Sequence, residues 1–144
     1  MIKAASILGY GVMLAGVLGL VFTKRFFSPS PFVLVPQACA VVLMIWARIT
    51  FGRRSFHLAA NPTAGGLVTT GPYRFIRHPI YTAVCLFCLP AVVAFWSWQA
   101  ALFGGLILIG TLTRIFSEEA LLRRQNPEYA KYSLRTWRML PPLF

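Results

Sequence analysis

A chain of 144 residues with 58 % hydrophobic residues, a mean hydropathy of +0.68 and three acidic residues departs from the composition of a soluble globular domain. Its net charge of +11 would suit nucleic acid, but long uncharged runs argue against that partner and place the arginines at a membrane surface. The composition is that of an integral membrane protein, read as a single membrane domain over residues 1–144 with two spans in 1–58 and a functional core in 65–144.

The first apolar run, Ala4 to Phe22, holds Gly9, Gly11, Gly16 and Gly19 and is long enough to span a bilayer core at about 1.5 Å per residue. The glycines allow a neighbouring helix to approach closely. The run lacks a small-residue cleavage site, so it is read as a retained span and not a secretory leader. Lys24, Arg25 and the Ser28 to Pro31 turn end it. Phe32 to Phe51 makes a second span, with Pro36 near its start and Arg48 close enough to the boundary to snorkel. Arg53, Arg54 and His57 then open a polar segment, in which His57 reads as an interfacial histidine.

The stretch from Gly65 to Ala83, GGLVTTGPYRFIRHPIYTA, is a basic interlude between apolar runs. Gly65, Gly66 and the Gly71-Pro72 step prevent continuous helix and permit close backbone approach to a ligand. Irregular backbone beside a membrane is costly unless it lines a cavity or meets water. A loop carrying Tyr73, Arg74, Arg77, His78 and Tyr81 therefore reads as a binding loop; an ordinary connector facing lipid headgroups explains the arginines but not the tight Arg77-His78-Pro79 and Tyr81 grouping.

Pro79 suits the first turn of a third helix, since its missing N–H is unneeded there. That helix is expected over Ile80 to Trp96, with a kink at Pro90, and a fourth over Ala100 to Phe116, the two forming a hairpin around an interfacial Trp96-Ser97-Trp98 turn. Cys85 and Cys88 have a C-x-x-C spacing, but one helical turn apart in an apolar run, and without a partner cluster, they read as buried thiols; no metal site is expected. Lys3, the segment from Arg48 to Arg77, and the residues from Arg114 onward hold twelve of the fourteen basic residues. The positive-inside rule then places both termini and the loop in the cytosol. The tail from Ser117 holds all three acids, breaks at Asn126 to Tyr129, and is expected to lie as an amphipathic segment over the cytosolic helix ends.

Arg114 and Glu118 are four residues apart and share a helix face. The plain interpretation is a surface ion pair worth a few tenths of a kcal/mol. An acidic pair, Glu118-Glu119, in so basic a chain also suits a cationic ligand group, and the arginine beside it a carboxylate or phosphate.

Leu67-Val68 followed by Gly71-Pro72-Tyr73, then Arg77-His78-Pro79 with Tyr81, then Glu118-Glu119 after a helical hairpin, resembles the isoprenylcysteine carboxyl methyltransferase family, whose wider group includes the membrane phospholipid N-methyltransferases. The likeness covers the chain from about Gly65 onward; the family usually has Gly where this chain has Ala83. The four apolar runs give an all-α membrane protein of about four transmembrane helices; the resemblance implies methyl transfer from S-adenosylmethionine bound by the cytosolic loop, without a Rossmann domain. By that resemblance Leu67, Val68 and Gly71 contact the adenosyl part. Tyr73, Arg77, His78, Pro79, Ile80 and Tyr81 wall the cofactor, Glu118 accepts from its amino group, and Glu119 supports it. Arg114 binds the acceptor, with Arg114 and His78 as the catalytic pair.

The first expectation for the acceptor is a carboxylate on a prenylcysteine-like or isoprenoid acid, which needs no general base at neutral pH. The second is a phospholipid ethanolamine, whose amine must first lose a proton, with His78 as the evident helper. A third reading, from another class, is a catalytically silent membrane protein binding lipid or a partner helix. The location expected is a bacterial inner membrane or the endoplasmic reticulum, with the active site on the cytoplasmic face.

Overall fold

The computed structural model describes residues 1–52 and 66–144, so Arg53, Arg54, His57 and Gly65 lie outside the described residues. Within them the protein is all helical: α1 (Ile2–Phe22), α2 (Pro31–Phe51), α3 (Pro79–Ala94), α4 (Trp98–Gln125) and the short α5 (Tyr129–Ser133), with a 3-10 turn over Gly71–Arg74. Proline opens α2 and α3 at Pro31 and Pro79, where its missing N–H costs nothing.

Four spans are expected from the apolar runs, and three helices, α1, α2 and α4, are long and apolar enough to cross a membrane. The remaining one, α3, has 16 residues. At 1.5 Å per residue that is about 24 Å, short of a core of ~30 Å. It ends at Ala94 and not Trp96, because Ser97 turns extended and caps α4, its hydroxyl accepting from the Ala100 N–H. At the other end α4 passes Phe116 and runs unbroken to Gln125; Asn126, extended ahead of Pro127, stops it.

The principal packing is α1 on α4, α2 on α3 and α3 on α4. Glycine sets the closest of these: Gly9 and Gly110 face each other, and a Cβ on Gly110 would sit 2.5 Å from the Gly9 carbonyl oxygen. Without a hydrophobic drive between helices in lipid, such backbone proximity supplies the dispersion contact that holds them together. Leu20, Ile107 and Ile115 are fully buried along that seam, while Ile7, Leu8, Val42 and Ile49 face outward as lipid-contacting residues do. Gln37, buried inside α2, is satisfied by the Phe26 and Phe87 carbonyls at 2.8 and 3.3 Å. Cys85 and Cys88 are free, buried thiols in the core cluster.

The tail does more than lie along a surface. After α5 it folds back on the loop, pairing Ile76 with Trp137 in an isolated parallel bridge. The Arg77 and His78 N–H groups donate to the Trp137 and Arg138 carbonyls at 2.7 and 3.0 Å, and Thr82 Oγ1 donates to the Met139 carbonyl at 3.1 Å. Loop and tail thereby fix each other over the end of α4.

Candidate active site

His78 occupies the cap position of α3, so Tyr81 projects from the first turn of that helix beside it, the two rings 5.8 Å apart. Both face Glu118 on α4. The Tyr81 hydroxyl donates a short hydrogen bond to Glu118 Oε1 and accepts from Arg114 Nε at 2.5 Å. Arg114 Nη2 donates to the same carboxylate oxygen at 3.0 Å, as the four-residue spacing on one helix face allows. His78 Nδ1 stands 3.7 Å from Glu118 Oε2. Arg114 is buried, which the surface ion-pair interpretation does not anticipate, and α1 accommodates it: Arg114 Nη1 donates to the Ser6 carbonyl at 3.3 Å and the guanidinium lies 5.2 Å from the Tyr10 ring.

Glu119 points elsewhere. Arg77 Nε donates to its Oε1 at 3.0 Å, and Arg138 Nε reaches both its oxygens at 3.2 Å. His78 Nε2 lies 3.4 Å from Glu119 Oε1 but is not aligned for a hydrogen bond, and that buried ring nitrogen has none. Arg77 also donates to the Ser133 and Thr136 carbonyls, 59 residues away in the second case, clamping the tail. The side chains of Arg77 and Glu119 are 7 % and 5 % exposed, whereas that of Glu118 is 23 % exposed, so Glu118 is the acid an incoming group can reach.

This geometry joins the loop histidine, the α3 tyrosine and the α4 arginine and acid, the pattern on which the family resemblance rests. The model of the phospholipid methyltransferase family matches residues 32–131, more than two thirds of the chain. The chain belongs to the phospholipid methyltransferase family. It is thus a membrane methyltransferase for lipid-like substrates, in the group that also holds the isoprenylcysteine carboxyl methyltransferases. Neither the curated proteins nor the solved structures give a significant match.

In this phospholipid methyltransferase family member the other loop residues take distinct places. Gly71 sits at φ +56, and a Cβ there would stand 2.5 Å from Thr50 Oγ1 on α2, so glycine is required by the turn itself. Tyr73 is buried against Phe51, with ring centroids 5.3 Å apart, and its carbonyl accepts from the Tyr132 hydroxyl at 2.6 Å. Burial pushes the Tyr132 phenol up to about 12, which keeps it protonated as that donor; burial raises the Tyr73 phenol as well. Pro79 is buried and Ile80 half-buried at the start of α3. Leu67 lines a cleft of about 640 Å³ with Tyr132 and Thr136, on the tail side of the loop, and Val68 beside it is half-buried.

Sequence reasoning missed Ser6, Tyr10, Arg138 and the Ser133 and Thr136 carbonyls. A signal for the first pair existed: Ser6 and Tyr10 are the two polar-tipped residues of an otherwise apolar run and lie four apart on one face of α1. The tail contacts are backbone groups and carry no sequence mark. Among the described residues no group of three His, Cys, Asp or Glu could hold a metal ion.

The residues present fit the cofactor that the family implies. An ammonium group would find in Glu118 a carboxylate oriented by Tyr81 and Arg114 and still open to approach, with His78 Nδ1 beside it.

Proposed function

We propose that the protein transfers a methyl group from S-adenosylmethionine to the polar head of a lipid-like acceptor. The reaction takes place at the helix end bearing ten of the twelve basic residues among the described ones, which the positive-inside rule assigns to the cytosolic face. The observation that carries this reading is Glu118, a carboxylate held by Tyr81 and Arg114 beside His78 yet accessible from outside. Bound there, S-adenosylmethionine would supply a methyl already activated by its sulfonium charge, so the chain's task is positioning more than acid–base help. Glu118 accepts from the ammonium group, while Tyr81, His78, Pro79 and Ile80 form the wall, with Tyr73 behind them. Leu67, Val68 and Gly71 place loop backbone against the adenosyl part. Arg77 and Glu119 hold the loop in position and do not themselves touch a ligand.

For the acceptor, a carboxylate on a prenylcysteine-like or isoprenoid acid is the first reading. To pair with it Arg114 would exchange a bond to Glu118 or Tyr81 for the acceptor, and the charge pairing would offset the cost of taking the carboxylate out of water. A second reading, N-methylation of a phospholipid ethanolamine, is favoured by two observations: the family match itself and the engagement of Arg114 by Glu118 and Tyr81. In that case His78, whose Nδ1 stands 3.7 Å from Glu118 Oε2, would take the proton from the amine. The test is a methyl-transfer assay on the purified protein across prenylcysteine, isoprenoid acids and ethanolamine lipids, beside calorimetry with S-adenosylmethionine. Methylation of an acid supports the first acceptor and of an amine the second. A folded protein that does not bind the cofactor would return the chain to a silent lipid- or partner-binding role.

A further inference from the structure

Arg114 is a charge on a helix long and apolar enough to cross a membrane, and it is only 4 % exposed. A charge so placed is expensive unless its surroundings match it. Those surroundings divide by direction. The edge formed by Nε and Nη2 meets the Tyr81 hydroxyl and Glu118 Oε1, at 2.5 and 3.0 Å. On the other side Nη1 donates to the Ser6 carbonyl at 3.3 Å, and the guanidinium carbon stands over the Tyr10 ring, 5.2 Å from its centroid. The Tyr81 ring is 5.7 Å away, but it is tied to the guanidinium edge through its hydroxyl. The Tyr10 hydroxyl makes no hydrogen bond among the described residues, so its contact with Arg114 is the ring's alone. The register of α1 fixes that contact. Gly9, next to Tyr10, faces Gly110, one turn before Arg114, and a Cβ on Gly9 would stand 3.0 Å from the Gly110 carbonyl oxygen.

A substrate would act differently on the two sets of contacts. A guanidinium meets a carboxylate through two parallel N–H groups, and the Nε–Nη2 edge is the one turned to Glu118. An acceptor carboxylate pairing on that edge displaces Tyr81 or Glu118 and leaves the Ser6 carbonyl and the Tyr10 ring where they are. During the exchange the guanidinium loses part of what held its plane, and the ring on its face is what remains to resist rotation. Small losses of orientation at a reacting centre cost rate out of proportion to the displacement. We propose that Tyr10 is a positioning residue for methyl transfer, its ring holding the Arg114 fork in place while the acceptor carboxylate exchanges with Glu118 or Tyr81. This role rests on the carboxylate-acceptor reading of the site. It extends the site to a residue on α1, outside the range 32–131 that the family model matches.

The experiment compares full-length wild type, Tyr10→Leu and Tyr10→Phe in nanodiscs, with a prenylcysteine as acceptor. Tyr10→Leu should lower kcat/KM about tenfold, the worth of a desolvated cation–π contact. Its affinity for S-adenosylmethionine by calorimetry should stay at the wild-type level, which also reports that the variant is folded. Tyr10→Phe keeps the ring and should keep wild-type turnover. In an Arg114→Lys background the loss from Tyr10→Leu should disappear, whereas a mere part in docking α1 would persist there. A further measurement needs no turnover: side-chain NMR of arginine-labelled protein, with the Arg114 Nε–H resonance assigned by its absence from Arg114→Lys. The ring should shift that resonance in the wild type and Tyr10→Phe, and Tyr10→Leu should move it. Wild-type kcat/KM in Tyr10→Leu, a Tyr10→Phe as impaired as Tyr10→Leu, or an unmoved resonance would each overturn the role while methylation and cofactor binding stand. A wild type that binds no S-adenosylmethionine would instead defeat the reading beneath it, and one that methylates only ethanolamine lipids would remove the carboxylate; the role falls with either.

Discussion

Glu118 and Glu119 are neighbours in sequence and opposites in setting. Glu118 turns toward the helix bundle, where Tyr81, Arg114 and His78 meet it, and keeps an open side. Glu119 turns about 100° away toward the loop and tail, where Arg77 and Arg138 enclose it, with Arg123 at 3.8 Å. The first arrangement leaves a charge accessible; the second consumes it. A pair of identical acids thus divides into one suited to recognition and one suited to holding the recognising parts together.

Several substitutions can break or sharpen that division. The largest effect on stability belongs to Glu119→Gln. Removing the charge leaves the buried Arg77 guanidinium uncompensated, a loss of about 3–5 kcal/mol for a broken buried pair. Thermal unfolding in detergent should show it, together with faster proteolysis of the tail; an unaltered melting temperature would dissolve the distinction. Glu118→Gln also leaves a buried guanidinium, Arg114, without its charge partner, but the Glu118 side chain is 23 % exposed against 5 % for Glu119. It should therefore lower the melting temperature less, while binding S-adenosylmethionine about ten- to a hundredfold more weakly, the worth of ~1.5–3 kcal/mol for a hydrogen bond to a charged partner. Calorimetry on the folded variant checks this, and unchanged affinity removes Glu118 from the site.

Arg114→Lys comes next. A point charge cannot reproduce the fork that meets Tyr81 and Glu118 at once, so methylation of a carboxylate acceptor should fall by about tenfold in kcat/KM. If turnover and KM stay at wild-type levels, the arginine is an anchor and the amine acceptor moves forward. Tyr132→Phe should be the mildest, removing one hydrogen bond to the Tyr73 carbonyl for about 1 kcal/mol, seen as a small drop in melting temperature without loss of cofactor affinity.

Much of the bundle could be read from the chain, because apolar runs of membrane length have few structural alternatives and Pro79 and Asn126-Pro127 mark helix ends locally. The Arg114–Glu118 pair followed from helical spacing, and the string around His78 carried the family. The separate duties of the two glutamates were not read, although adjacent helix positions face different directions. What hid them was the identity of their partners: Arg138 and the Thr136 carbonyl come from a tail whose return to Ile76 is a pairing between distant segments. The length of α3 was overestimated because the apolar character of Phe95 and Trp96 continues past the point where Ser97 becomes extended. Periodicity registers side-chain polarity and not the backbone angle that ends the helix.

The glycine seam between α1 and α4 has a consequence for how this protein is put together. The family match begins at residue 32, yet the carbonyl and ring that surround the buried Arg114 belong to Ser6 and Tyr10, before it. The first helix therefore supplies part of the surroundings of Arg114 from outside the matched range, docked through Gly9 on Gly110. A chain severed between Lys24 and Ser30 would still present both mating surfaces, so residues 1–24 added as a free peptide should reassemble with the remainder in a bilayer. Replacement of that helix by another bearing the same small-residue face and a ring at the level of Tyr10 would change the lipid-facing exterior while leaving the site whole.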